Sequence, residues 1–185
     1  MTTPHRPREE RFRSLYADAY EDVLRFAQRR VHPSHAEDVV ADAFLVAWRR
    51  IEEAPALPGD LRAWLFGIAR RCILNARRGQ GRGEALAVRL AEAMLADGAT
   101  ECFDPELVAV RIDLVAAWRE LSASEQEVLA LAVFENLTSA QAGHVLGITS
   151  MAYRLRLKRA RRALRRRLDR SHPEPINLTA VEEAA

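Results

Sequence analysis

Cysteine is scarce in this chain of 185 residues. Cys72 and Cys102 stand thirty positions apart, and neither has a second Cys or a His at the spacing of zinc ligands. Neither a disulfide framework nor a structural zinc site is therefore indicated. Long apolar runs are missing too, since the longest, Val128 to Phe134, is far short of the roughly 18 residues that span a bilayer. The N-terminus also lacks the apolar core of a signal peptide, so we expect a soluble cytoplasmic protein without a membrane segment.

Glycine and proline are few, eight of each, whereas 49% of the residues are apolar. A disordered or low-complexity chain has the opposite composition, so this one should fold, as one medium domain or two small ones. The patterns that carry enzymatic chemistry are absent as well: we find no Gly-rich phosphate loop, strained nucleophile turn or paired-carboxylate spacing. The histidines, which form no pair at i, i+4 on one helix face, are His5, His32, His35, His144 and His172. We expect no metal, no cofactor and no enzymatic activity.

The net charge of +2 conceals a division along the chain. Residues 84–127 hold ten acidic and three basic residues, whereas residues 128–170 hold ten basic and two acidic ones. Lysine is nearly absent, because Lys158 is the single Lys among 28 basic residues. The C-terminal part therefore suits a polyanionic partner.

Alternating strand patterns are almost absent, and apolar residues recur at steps of three and four, which predicts an all-α fold. We expect a first helix over 9–31, ended by Pro33, and a second opened by a Ser34–Glu37 capping box. After the break at 54–59, Asp60 should cap a third helix that ends near Gly79. On this helix Trp64, Ile68 and Cys72 share the apolar face, so we expect Trp64 to pack in the core and not to stack on a base.

The stretch 79–102 is a candidate hinge, because Gly-Gln-Gly-Arg-Gly precedes a weak pattern. Further on, Asp104-Pro105 begins a helix to about Leu121, and two more capping boxes follow, Ser122 with Glu125 and Thr138 with Gln141. Gly147 ends the short helix that the second of these opens. A last helix is predicted from Thr149 or Ser150 to about Arg170.

The two helices that flank Gly147 fit a helix-turn-helix, since Gly143 allows them to approach closely. The second would be presented to a DNA major groove. Its polar and basic residues are Ser150, Tyr153, Arg154, Arg156, Lys158, Arg159, Arg161 and Arg162. A basic helix by itself is more often a solvated face, but the turn chemistry here favours DNA binding.

Three sequence blocks, in this order, resemble a known family. The block Ala36 to Arg49 (AEDVVADAFLVAWR) and the block Trp64 to Arg71 (WLFGIARR) look like region 2 of bacterial RNA polymerase sigma factors of the extracytoplasmic-function (ECF) group in the sigma-70 family. Leu121 to Leu168, which includes KRARRAL at 158–164, looks like their region 4. The ordered pair of modules is specific, whereas a helix-turn-helix alone fits many regulators.

The resemblance implies a dissociable initiation subunit with two small helical domains. Region 2 would occupy residues 1–78 and bind polymerase and the minus-10 element, and a linker would follow at 79–106. Region 4 would occupy 107–170 and read the minus-35 element, and an acidic tail would occupy 171–185. The implied partners are the beta-prime clamp and beta flap of RNA polymerase core, promoter DNA and an anti-sigma factor. The free protein would be a monomer.

Three groups of site residues follow. Asp38 and Asp42 lie one turn apart opposite the apolar face, and family analogy adds their neighbours, so the polymerase group is Asp38, Ala41, Asp42 and Leu45. Residues 61–83 hold six Arg and no acid, and the minus-10 group is Arg62, Arg70, Arg71, Asn75 and Arg78. By family analogy the loop at about 53–60 forms the pocket for an extruded minus-10 base, beside Arg71 and Asn75. The minus-35 group is Ser150, Tyr153, Arg154, Arg156, Lys158 and Arg159.

The chain departs from the family pattern at Arg71, Ala41, residues 141–143 and residues 151–153, so the promoter sequence does not carry over. Tyr153 fits a DNA contact and a core residue equally well. Two other functions stay open at this point: a dimeric helix-turn-helix regulator that works without polymerase, and a helical adaptor that binds only protein. The acidic segment 84–127 and the tail 171–185 are also candidates for shielding the basic last helix when polymerase is absent.

Overall fold

The computed structural model describes residues 8–80 and 105–171. Within these ranges the chain forms seven α-helices: α1 (Arg8–Gln28), α2 (Pro33–Arg49), α3 (Pro58–Gln80), α4 (Pro105–Arg119), α5 (Ala123–Val133), α6 (Ser139–Leu146) and α7 (Ser150–Ser171). A 3-10 turn, Ile51–Glu53, follows α2. The expected all-α class is therefore confirmed. Within these residues no helix is both long and apolar enough to cross a membrane. Cys102 and most of the acidic hinge and tail lie outside the described residues.

The N-terminal bundle, α1 to α3, forms around aromatic rings that the three helices bring together. Phe26 of α1 and Phe66 of α3 are fully buried and stack, with ring centroids 4.6 Å apart. Phe12 meets Phe44 and Trp48 of α2 edge to face. Trp64 is 7% exposed, as expected for a core residue.

Two helix starts differ from the sequence prediction. α2 begins two residues earlier than a Ser34 cap requires, because Pro33 takes the first helical position and His32 is the cap, with Nδ1 accepting from the Ser34 backbone N–H. α3 likewise begins at Pro58, which places Asp60 in its first turn and not at the cap. In both places the fixed backbone angle of proline decides the start of the helix.

The local signals in the C-terminal bundle, α4 to α7, are confirmed. Both capping boxes form, Ser122 with Glu125 and Thr138 with Gln141. Gly147 ends α6 with φ 68°, a left-handed conformation that favours glycine. Gln126 is fully buried, and its Nε2 donates to the carbonyl oxygens of Trp118 and Leu121, which ties α5 to the end of α4.

The two bundles pack against each other along α3 and α6. One apolar core runs through both, since Leu65 and Ile68 of α3 belong to the same cluster as Leu131, Ala142 and Val145. Gly67 lies at this contact, where an added Cβ would make an ordinary van der Waals contact of 3.9 Å with the Val145 Cα. The predicted domain boundary gave no indication of this shared core.

Candidate nucleic-acid interface

The last helix, α7, presents most of its predicted DNA-facing residues to solvent. Arg154, Arg156, Lys158 and Arg159 are exposed, and Ser150 at the helix start is half-buried. The opposite face of α7 packs inward through Ala160 and Ala163. A basic helix that is exposed along one face can enter a DNA major groove.

The prediction that Tyr153 belongs to the minus-35 surface is corrected, because Tyr153 is a core residue. Its side chain is 1% exposed, and its hydroxyl donates to the Val128 carbonyl oxygen at 2.9 Å. Burial raises the pKa of this phenol. Tyr153 therefore fastens α7 to α5 and is not available to DNA.

The turn that positions α7 depends on Gly143 of α6. A Cβ at this position would lie 2.8 Å from the Ile148 carbonyl oxygen and 3.3 Å from the Ser150 nitrogen. Thr149 directly precedes α7, and its Oγ1 accepts from the Ala152 N–H in the first turn of that helix. The glycine is thus required for the crossing of the two helices.

Replacing this glycine should disturb the turn. We expect Gly143→Ala to lower the free energy of unfolding by about 1–3 kcal/mol, because the clash with fixed backbone outweighs the gain in helix propensity of about 1 kcal/mol. Urea unfolding followed by circular dichroism measures the change. His144→Ala, which is exposed in the same helix, should stay within about 0.5 kcal/mol of wild type. An unchanged or stabilised Gly143→Ala protein would contradict the close packing.

A basic groove beside α7 is lined in part by residues that were not in the predicted minus-35 group. It has a volume of about 780 Å³ and lies between α7 and the start of α6. Its floor is apolar, formed in part by Leu137 and Leu157. The polar residues that line it are Thr138, Ser139, Arg154, Lys158, Arg161, Arg162 and Arg165. The spacing of Arg154, Lys158, Arg161 and Arg165 places them on one stripe of a helix, which is the signal that could have identified this set.

The basic patch of α3 is partly neutralised by acids from other elements. Arg70 makes two hydrogen bonds to Glu127 of α5, at 2.8 and 3.2 Å, and Arg62 lies 2.6 Å from Asp22 of α1. Arg71 and Asn75 are exposed one turn apart, and Arg78 lies further along the same helix. The local absence of acids in residues 61–83 therefore overstated the free positive charge.

The loop before α3 borders a cavity of about 290 Å³. Ala54, Pro55 and Ala56 form one wall, and Arg11 and Leu15 of α1 contribute to the other. Arg71 and Asn75 do not line it. The cavity is therefore bordered by the loop and by α1, and not by the two α3 residues that were expected beside the base.

The predicted polymerase patch is exposed on α2. Asp38, Ala41, Asp42 and Leu45 all face solvent, and Leu45 is 49% exposed. An exposed leucine beside two carboxylates is a surface that a partner can cover. Cys72 of α3 is half-buried nearby; burial, and then the charge of Asp42, raise the pKa of its thiol. Among the described residues no group of three or more His, Cys, Asp or Glu could hold a metal ion.

Two family models match the chain. Residues 15–83 match Sigma-70 region 2, and residues 118–166 match Sigma-70, region 4. The chain is similar to the ECF RNA polymerase sigma factor SigL of Mycobacterium tuberculosis, with 32% identity over 157 residues, which is 83% of this chain and 86% of SigL. It is also 29% identical over 137 residues to the probable RNA polymerase sigma factor RfaY of Xanthomonas campestris pv. campestris, covering 72% of this chain and 34% of RfaY.

Two solved structures share the fold. One is the sigma factor RpoE in complex with the anti-sigma factor NepR from Bartonella quintana, with a TM-score of 0.58, 22% identity and coverage of 85% of this chain and 96% of RpoE. The other is CnrH in complex with the cytosolic domain of CnrY, with a TM-score of 0.56, 22% identity and coverage of 85% and 87%. At this level of identity the likeness concerns the fold alone.

Proposed function

Because the chain belongs to the ECF group of RNA polymerase sigma factors, we propose that three surfaces divide its work at the promoter. The protein directs RNA polymerase core to specific promoters and so initiates transcription. The matches give no support to a helix-turn-helix regulator that works without polymerase. Sigma factors are regulatory proteins, and in this proposal the chain makes and breaks no covalent bond and needs no cofactor.

The exposed face of α7 reads the minus-35 element. The observation that carries this assignment is an outward row of basic residues with a basic groove beside it. Arg154, Arg156, Lys158 and Arg159 reach base edges or phosphates, and Thr138 and Ser139 bind phosphate at the edge of the groove. Ser150, at the start of α7, is the remaining member of this group.

The minus-10 element binds α3 and the loop before it. Arg71, Asn75 and Arg78 follow one another at helical steps and form the DNA-facing part, and Arg62 and Arg70 join them when DNA phosphates replace their carboxylate partners. The cavity behind Ala54 to Ala56 accepts the extruded base, which costs a few kcal/mol of unstacking that contacts to the strand must offset.

The exposed patch of α2 docks on polymerase. Asp38 and Asp42 meet a basic surface of the beta-prime clamp, and Ala41 and Leu45 supply the apolar contact. The C-terminal bundle contacts the beta flap. The boundaries 1–78 and 107–170 for the two regions, and a monomeric cytoplasmic protein, are part of this proposal.

An anti-sigma factor is a further proposed partner. Two proteins that share this fold, RpoE and CnrH, were solved in complex with NepR and CnrY respectively. We infer a protein of that class for this chain and propose no residue for its contact.

Transcription in vitro tests the proposed function directly. Purified core polymerase from the host is mixed with fragments of the host genome, with and without this chain, and RNA 5′ ends are sequenced. We expect a set of start sites that appears only when the chain is present and that shares two elements in one orientation. If no start site depends on the chain, the proposed function is wrong.

A further inference from the structure

Leu57 is an exposed apolar side chain in the loop before α3. It is 67% exposed, the highest value among the large apolar side chains of the described residues. The loop is anchored on both sides of it, because Ala54 and Leu61 pack against the apolar core. Leu57 thus projects into solvent from a fixed base.

The position of Leu57 does not favour leucine for the stability of the fold. Leu57 directly precedes α3, and its carbonyl oxygen accepts from the Leu61 N–H at 2.8 Å, which makes it the N-cap residue. Serine, threonine, aspartate and asparagine are preferred at an N-cap, because their side chains accept from a free N–H of the first turn, whereas leucine is among the least favoured residues there. A single exposed leucine is common on protein surfaces, but this one supports neither the core nor the helix cap.

Two prolines restrict the backbone around Leu57. A residue that precedes proline is held in an extended conformation, which applies to Ala54 before Pro55 and to Leu57 before Pro58. Ala54 has φ −65° and ψ 129°, as this restriction requires. Pro58 also takes the first position of α3, where its fixed φ suits the helix. Little backbone freedom is therefore lost when the Leu57 side chain meets a partner.

The cavity proposed for the extruded base lies directly beside Leu57. Ala54, Pro55 and Ala56 form its loop wall, whereas Leu57, the next residue, does not line it. Consecutive Cα atoms are about 3.8 Å apart, and stacked bases of one strand are about 3.4 Å apart. A base that enters the cavity would therefore leave its place in the stack within reach of the Leu57 side chain.

Extrusion of a base leaves a gap between apolar surfaces. The bases on either side lose a stacking neighbour, and the loss favours return of the base to the duplex. Proteins that kink or unstack DNA insert apolar side chains, leucine among them, between base steps. Insertion of Leu57 would also remove from water an apolar side chain that the fold leaves exposed, which is favourable by itself.

We propose that Leu57 is a wedge that enters the minus-10 element beside the extruded base and fills the gap in the stack. The wedge rests on the proposed function, since it acts at the same element. Its side chain has no hydrogen-bonding group and so cannot read a base edge. Leu57 is therefore a positioning residue, which holds the strands open and does not choose the sequence.

Opening of a promoter by the holoenzyme tests the wedge. The template is a promoter found in the transcription experiment above, in which 2-aminopurine replaces an adenine of the minus-10 element and becomes fluorescent when it unstacks. A second template carries mismatches across the same element, so its strands are already separate. The variants are Leu57→Ser and Leu57→Met, and the matched control is Val133→Ser, at a position that is 66% exposed on α5.

We expect Leu57→Ser to slow opening of the duplex at least about tenfold, the effect that corresponds to one leucine side chain losing its apolar contacts. On the mismatched template the same variant should stay within about threefold of wild type, because the strands are already apart. Leu57→Met keeps an apolar side chain of similar volume and should open the duplex like wild type. Val133→Ser should do the same.

Stability separates the wedge from a role in the fold. Because serine is a preferred N-cap residue, the urea midpoint of Leu57→Ser should equal or exceed that of wild type. A lower midpoint together with equal losses on both templates would mean that Leu57 supports the fold, and it would overturn the wedge.

The remaining outcomes distinguish the wedge from the proposed function. Duplex opening by Leu57→Ser at the wild-type rate would overturn the wedge and leave the proposed function intact. An equal loss on both templates in a stable protein would also overturn the wedge, because Leu57 would then contribute to binding and not to opening. If the wild-type holoenzyme itself leaves the minus-10 element closed, the proposed function is wrong and the wedge is wrong with it.

Discussion

Asp42→Arg is expected to weaken binding to core polymerase by at least about a hundredfold, the largest effect that we expect of a single exposed residue. Asp42 is exposed one turn from Asp38 in the middle of the polymerase patch, next to the apolar Leu45. A cation there would face the basic surface of the partner, and like charges brought together at an interface cost several kcal/mol. Surface plasmon resonance with immobilised core polymerase measures the loss.

Glu21→Arg is the matched control for this charge reversal. Glu21 is an exposed acid on α1, outside the proposed patch, and the substitution changes the net charge by the same amount. It should leave the affinity within about threefold of wild type, since an exposed charge outside the contact is screened by salt. If Asp42→Arg retains wild-type affinity, or if both variants lose it equally, α2 is not the docking surface.

Tyr153→Ala should lower the free energy of unfolding by about 3–5 kcal/mol, the usual range for truncating a buried aromatic residue. The ring is 1% exposed and lies in the core that both bundles share. Tyr153→Phe keeps the ring and loses only the hydrogen bond to Val128, so we expect about 1 kcal/mol. Urea unfolding of the full chain gives both values.

DNA binding separates the two interpretations of Tyr153. A core role predicts that Tyr153→Phe leaves promoter affinity of the holoenzyme unchanged, since the hydroxyl points into the protein. Leu155→Ala, at a position that is 49% exposed, is the control for stability. Its free energy of unfolding should stay within about 0.5 kcal/mol of wild type. A change of base preference in Tyr153→Phe would mean that Tyr153 contacts DNA.

Helix caps show where the sequence is a good guide. The Ser122–Glu125 and Thr138–Gln141 boxes formed as predicted, because each depends on atoms within four residues of one another. The caps at Ser34 and Asp60 were wrong for an equally local reason. Pro33 and Pro58 stand first in their helices, and proline is favoured at that position.

The arginines of α3 show where the sequence is a poor guide. The stretch 61–83 contains no acid, which predicted a free positive surface. The acids that neutralise Arg62 and Arg70 are Asp22 and Glu127, which come from α1 and α5. Nothing in the spacing of residues 61–83 could have shown these partners, because they are 40 or more positions away.

The sequence by itself determined the helices, the tight turn at Gly147 and the basic outer face of α7. These features follow from periodicity and from contacts between near neighbours. Only the tertiary structure decided which charges are available and that Tyr153 of α7 is buried. Burial and ion pairing depend on groups that the fold brings together, and Arg30 and Glu135, 105 residues apart, are the clearest case. The few cysteines, glycines and long apolar runs excluded whole classes of protein, but the packing of α6 on α3 placed the proposed minus-10 surface at the boundary of the two bundles.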